Sequence, residues 1–286
     1  MSPGIKYMLL ASFFFALMNV SVKYLPHIPA VEIAFFRALV SLFLSVLILK
    51  KLKIPMLGNR PNSLLMRGFF GAGALILYFI TLQQMPLASA VTIQFLSPIF
   101  TTILGLYLVK EKVFSLQWFF FLMAFAGVLL IQGFDTRVTP FYLMIGIGSA
   151  FFSGLAYNTI RKIKDSEHPL VIVFYFPLVT VPIAGIAMAW DFVWPSGWDW
   201  AILFLIGFLT QIAQYYMTRA YQSDEISKVA SIKYVGIIYA LIFGYFLFGE
   251  AFTLEAHIGM LIVLAGVIGN VWYKQSKEKI KVGSRQ

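Results

Sequence analysis

The residues of this chain that can do chemistry are few, and they lie inside apolar runs. Arg37 and Lys233 are cations within hydrophobic stretches. A charge near the centre of a bilayer costs about 2.5–3.5 kcal/mol, so each invites a partner or a task. Arg37 either ties to Glu32 and nearby carbonyls or meets a substrate. Lys233 either snorkels back to the headgroups or faces a cavity and meets an anionic group. Asn19 and Asn158 suit interhelical hydrogen bonds or substrate contact. Gln211, Gln214, Tyr215 and Thr218 share one helical face by the i, i+3, i+4, i+7 rule; lipid is a poor solvent for that face, so it is expected to point inward. Gln94 heads a further polar or small stripe with Ser97, Thr101 and Gly105. Tyr78, Tyr157, Tyr234 and Tyr239 offer rings and hydroxyls for stacking or hydrogen bonds. Glu32, beside Arg37, is the candidate to carry a coupling proton, with a helix-terminus role as the alternative.

Other chemistries lack their residues. The chain has no cysteine, and His27, His168 and His257 are scattered without metal-ligand spacing. Asp135, Asp165, Asp191, Asp199 and Asp224 fall in loops or at the ends of apolar runs, so no paired carboxylates stand at membrane depth. No catalytic residues, metal or cofactor are expected, which disfavours an intramembrane enzyme. No repeated filter or charged ring suggests a channel. The formal charge of +10 does not indicate nucleic acid, because the basic residues sit in short loops rather than on one stripe.

The elements that must position these residues are membrane helices. Of 286 residues 60% are hydrophobic and 12% charged, about half the charge needed to cover a soluble surface. Apolar spans fall near 5–25, 30–49, 64–84, 87–109, 115–133, 140–161, 169–190, 198–221, 226–248 and 254–273. The basic residues then set the orientation. With both termini cytoplasmic, Lys6, Lys50, Lys51, Lys53, Arg60, Arg67, Lys110, Lys112, Arg161, Lys162, Lys164, Arg219, Lys228 and the tail lysines fall inside. Lys23 and Arg137 fall outside, and Trp190, Trp194, Trp198 and Trp200 form an outer aromatic belt.

The two halves of the sequence resemble each other. Glu111 and Glu250 are separated by 139 positions, and the same offset joins Asn19 to Asn158, Lys23 to Lys162, Phe35 to Phe174, Gly68 to Gly207 and Gly105 to Gly244. It also joins Ala126-Gly127-Val128 to Ala265-Gly266-Val267, and polar Gln94 to Lys233, which favours a cavity-facing Lys233. A unit of five spans must re-enter the membrane upside down, giving repeats at 1–134 and 138–275, with a basic cytoplasmic tail at 276–286. Inverted repeats around a midplane site are the recurring plan of secondary transporters. Glu111 and Glu250 each precede a helix and are read as serving the free N–H groups of that next helix.

The residues Ala88-Ser89-Ala90 through Pro98 to Lys110-Glu111, then Ala126-Gly127-Val128, resemble the first repeat of EamA-type members of the drug/metabolite transporter superfamily. Arg219-Ala220-Tyr221 through Gly249-Glu250 to Ala265-Gly266-Val267 repeats the pattern, and Phe36-Arg37 also fits. The resemblance implies an all-α membrane protein of ten helices in a 5+5 inverted repeat. In that fold the first four helices of each half line a central cavity. One departure is Ile237, where the fourth span has Pro98. The expectation is a secondary transporter in the inner (cytoplasmic) membrane that moves a small organic metabolite carrying a carboxylate or other anionic group. Its partners are that solute and the lipid bilayer; Gly259, Gly266 and Gly269 in the tenth span suggest a homodimer face.

Overall fold

A computed structural model describes residues 3–108, 115–163, 166–223 and 235–283. Lys233, Tyr234 and Glu111 lie outside the described residues. The described chain forms eleven helices: α1 Pro3–Lys23, α2 Ala30–Lys51, α3 Pro61–Gln84, α4 Leu87–Gln94, α5 Ser97–Leu108, α6 Ser115–Phe134, α7 Pro140–Ile163, α8 Pro169–Met188, α9 Asp199–Ser223, α10 Val235–Phe248 and α11 Leu254–Gly283. Proline opens α1, α3, α7 and α8, and it immediately precedes α2 and α4. Its fixed φ and missing N–H suit the first turn, where that donor has no helical acceptor.

Seven stretches are long and apolar enough to cross a membrane: α1, α2, α3, α4 with α5, and the bulk of α7, α8 and α9. Shorter apolar segments lie in α6, α10 and α11. The fourth span is broken at Phe95-Leu96, because Pro98 has no N–H to donate to the Gln94 carbonyl. With few charges and a membrane-length helical architecture, the chain is an integral membrane protein.

Helix packing follows the 139-residue offset. α1 packs on α9, and α3 packs on α7; α2 meets α8, and α6 meets α11. Individual contacts repeat in the same way. A Cβ added at Gly68 would stand 2.5 Å from Val179, and one at Gly207 would stand 2.5 Å from Val40. A Cβ at Gly127 would fall 2.7 Å from the Gly259 carbonyl, and one at Gly266 would fall 2.8 Å from the Phe120 carbonyl. Lipid gives helices no hydrophobic reason to associate, so close approach through small residues supplies the contact. Gly259, Gly266 and Gly269 therefore face α6 of the same chain, which corrects their reading as a homodimer face.

Glu250 also departs from expectation. Gly249, at φ +62°, turns the chain after α10. The Glu250 carboxylate then reaches α4 rather than the following α11: Oε2 accepts from the Leu87 N–H at 2.8 Å. Its Oε1 pairs with Lys23 Nζ at 2.5 Å, and Lys23 also donates to the Met85 carbonyl at 2.6 Å.

Candidate functional site

A cavity of about 130 Å³ lies where α2, α3, α4, α7, α8 and α9 converge. Five of the sequence candidates line it: Arg37, Tyr78, Gln94, Tyr157 and Gln214. Arg67, Gly71, Ser153 and Phe176 line it too. A small side pocket adds Ser41, Thr210 and Gln211. The volume is well below the roughly 300–1,000 Å³ of pockets for drug-sized ligands, so this conformer admits a small solute or part of a larger one.

Arg37 is held by α9 and by two aromatic rings. It is 4% exposed. Its Nε donates to Thr210 Oγ1 at 3.0 Å, and the hydroxyl of Thr210 in turn donates to the Ile206 carbonyl at 2.8 Å. Its guanidinium lies 5.7 Å from the Phe79 ring centroid and 5.4 Å from that of Phe176. Such contacts favour a weakly hydrated guanidinium over a lysine ammonium. The expected tie to Glu32 is not made. Glu32 is fully buried, and its Oε2 accepts from the Val193 N–H at 3.1 Å, fastening the start of α2 to the loop before α9.

By sequence Arg67 is one more cytoplasmic charge. It stands on the seventh residue of α3, and its guanidinium reaches the same Phe176 ring at 4.8 Å. Hydropathy places a basic residue near a span end but cannot show which way it turns. The adjacent signal is Gly71: a Cβ there would collide with Arg67 Nη1 and stand 2.8 Å from Phe176. Among the described residues, no carboxylate lines the cavity. The ion pairs among the described residues are Lys23–Glu250, His27–Asp199 and Arg137–Asp135, all elsewhere.

The other candidates divide. Gln94 Nε2 donates to Ser153 Oγ at 2.8 Å, and its Oε1 accepts from Ser149 at 2.9 Å, so α7 fixes the amide's orientation. Asn19 is buried at the Tyr78 hydroxyl. Asn158 lies outside the cavity lining; its Nδ2 donates to the carbonyls of Thr101 at 2.9 Å and Gly154 at 3.0 Å, while its Oδ1 is buried without a hydrogen-bond partner. Gln211 Nε2 reaches Ser45 Oγ at 3.5 Å. Tyr215 does not point inward with Gln211 and Gln214. It is 51% exposed and packs edge-on against Tyr216, because its position is turned about 100° around the helix from Gln214.

The EamA-like transporter family matches the chain twice, over residues 2–133 and 140–272. The pseudopaline exporter CntI of Pseudomonas aeruginosa is 30% identical over 272 residues, covering 93% of this chain and 95% of that protein. Solute carrier family 35 member G1 of Mus musculus is 30% identical, covering 96% and 80%. An S-adenosylmethionine uptake transporter of Rickettsia prowazekii is 25% identical, covering 93% and 91%. A crystal structure at 18% identity superposes with a TM-score of 0.63 over 93% of both chains, so the fold is shared.

Proposed function

Because the chain belongs to the EamA-like transporter family, we propose that it is a secondary transporter that carries a small organic metabolite with an anionic group by alternating access around this cavity. Its relatives are membrane transporters and not enzymes. They include an exporter and an uptake transporter, so neither direction nor substrate transfers by similarity.

The carrying observation is the buried Arg37, which sits between the two halves of the chain and in a cavity that no acid lines among the described residues. An anionic solute supplies the missing countercharge, and its loss of hydration is offset by charge-assisted hydrogen bonds. The doubled family match and the contacts recurring at the 139-residue offset support two inverted five-helix units, 1–134 and 138–275, with 276–286 as a tail. In such a pair each half can adopt the other's conformation, opening the site to alternate sides. The basic loops support cytoplasmic termini and, in a bacterial cell, residence in the inner membrane. Lys233, at the repeat position of Gln94, is a third cation proposed for the same cavity, with Tyr234 beside it in sequence. Glu32 remains the proposed proton carrier.

The test is flux into proteoliposomes containing the purified protein, with labelled anionic, zwitterionic, neutral and cationic metabolites. Uptake of an anionic or zwitterionic compound, reduced at least about tenfold in Arg37→Gln, is the expected result, since a hydrogen bond to a charged group is worth about 1.5–3 kcal/mol. Transport restricted to neutral or cationic compounds, and indifferent to Arg37→Gln, would remove the anionic part of the reading.

A further inference from the structure

Arg37 and Arg67 face one aromatic ring but are not in the same condition. Arg37 has its Nε bonded to Thr210 and stacks on two rings. Arg67 has both Nε and Nη1 buried without any hydrogen-bond partner. Arg67 is half-buried overall, but hydrogen-bond donors closed off from water and left unmade are costly, and such a group calls for an explanation, as a bound water, an ion or a functional role would give. The surroundings are shaped to hold it there. Gly71 leaves the space that Arg67 Nη1 and the edge of Phe176 occupy, and any larger residue would fill it.

The repeat sharpens the point. The offset of 139 carries Arg37 to Phe176 and Gly71 to Thr210. The same pair of positions is therefore used twice, once as Arg37 bonded to Thr210 and once as Phe176 packed on Gly71. Arg67 maps to Ile206, so it has no counterpart in the other half. Duplicated contacts build the frame; a cation present in one half only breaks its symmetry, as an asymmetric solute requires.

We propose that Arg67 is the anchoring donor for an oxyanion of the transported solute. In this arrangement Arg37 supplies a fixed positive field across Phe176, and Gly71 is the residue that permits the geometry. This rests on the transporter reading and adds to it the residue and the ligand chemistry: a planar carboxylate or a phosphate seated on Arg67.

The experiment uses the full chain in nanodiscs of phosphatidylcholine alone, with unfolding temperature read at constant ionic strength in chloride, acetate, succinate or inorganic phosphate. Succinate or phosphate should raise the unfolding temperature saturably. In Arg67→Gln the half-saturating concentration should rise about tenfold or more, as the loss of charged hydrogen bonds implies. Gly71→Ala keeps every charge and should weaken the anion response in the same sense, while Arg67→Lys should restore only part of it. The larger of the carboxylate and phosphate responses names the group.

No anion response in the wild type, or one that persists in both Arg67→Gln and Gly71→Ala, overturns the proposal. So does a response produced by phosphatidylglycerol in the nanodisc and by none of the free anions, since the seat would then belong to a lipid headgroup. If the Arg67-dependent response holds while proteoliposomes carry no metabolite, the transporter reading fails and the seat stands. If an uncharged metabolite is carried equally well by wild type and Arg67→Gln, the seat fails and the transporter reading stands.

Discussion

Replacing Glu250 should cost more than its position in a short loop suggests, and the cost can be divided by a double-mutant cycle. Its carboxylate joins three segments: the end of α1 through Lys23, the start of α4 through the Leu87 N–H, and the turn after α10 that carries it. Glu250 is 7% and Lys23 15% exposed at the side chain, so solvent screens the pair only weakly. Glu250→Gln keeps an acceptor for Leu87 but leaves the Lys23 ammonium with the Met85 carbonyl and the Phe248 ring, 5.4 Å away. A charged hydrogen bond is worth about 1.5–3 kcal/mol, which sets a loss of about 2 kcal/mol. Glu250→Ala also removes the helix cap, worth about 1 kcal/mol, for a total of about 3 kcal/mol. That lies at the low end of about 3–5 kcal/mol for breaking a buried pair, as fits a lysine that keeps other partners. Lys23→Met combined with Glu250→Gln should cost less than the two singles added together, with a coupling of about 1–2 kcal/mol. The assay is reversible unfolding in one fixed mixed micelle, followed by tryptophan fluorescence. Strict additivity would refute the reasoning, because it would mean that the two charges do not sense each other.

Three further outcomes follow from the packing and the cavity. Thr210→Val should destabilise by about 1–3 kcal/mol, because Arg37 Nε loses its acceptor, and Thr210→Ser should recover most of it; equal stabilities of Val and Ser variants would argue against the bond. Gly127→Ala and Gly266→Ala should each cost about 1–3 kcal/mol by overpacking the α6–α11 seam, measured by the same unfolding assay. Asn158→Leu should lower stability while leaving the apparent affinity for any carried solute unchanged in a flux assay, since its Nδ2 ties α7 to the Thr101 carbonyl and the side chain does not line the cavity.

Much of this architecture was legible in the sequence because membrane helices leave strong one-dimensional signals. The expected fifth span, 115–133, meets α6 at Ser115–Phe134, and prolines mark the start of one helix after another. The break in the fourth span follows from Pro98 alone. What the sequence could not carry was direction around the helix axis. Arg67, counted among loop charges, turns into the cavity, whereas Tyr215, grouped with the inward glutamines, turns out. Both errors amount to a fraction of a turn. Glu250 illustrates a different limit: a carboxylate before a helix suggests a cap for that helix, yet the turn at Gly249 delivers it to a helix 163 positions away. Local pattern names the chemistry, and the tertiary fold chooses its recipient.

The seam between α6 and α11 explains why one triplet stands unchanged in both halves. Ala126-Gly127-Val128 and Ala265-Gly266-Val267 are identical, and each glycine packs into the partner helix: Gly127 meets Gly259 and Val263, while Gly266 meets Phe120 and Ala124. Under the repeat, each glycine faces the very positions its twin faces. A bulkier side chain in either copy cannot be relieved by a neighbour in its own half, since the obstructing atoms belong to the duplicate and are largely backbone. The two copies thus act as a lock cut against its own key, each constraining the divergence of the other. The cavity is under no such reciprocal restraint: one half has Arg37 and Arg67 where the other has Phe176 and Ile206. Duplication left a frame that must stay paired and an interior free to become one-sided.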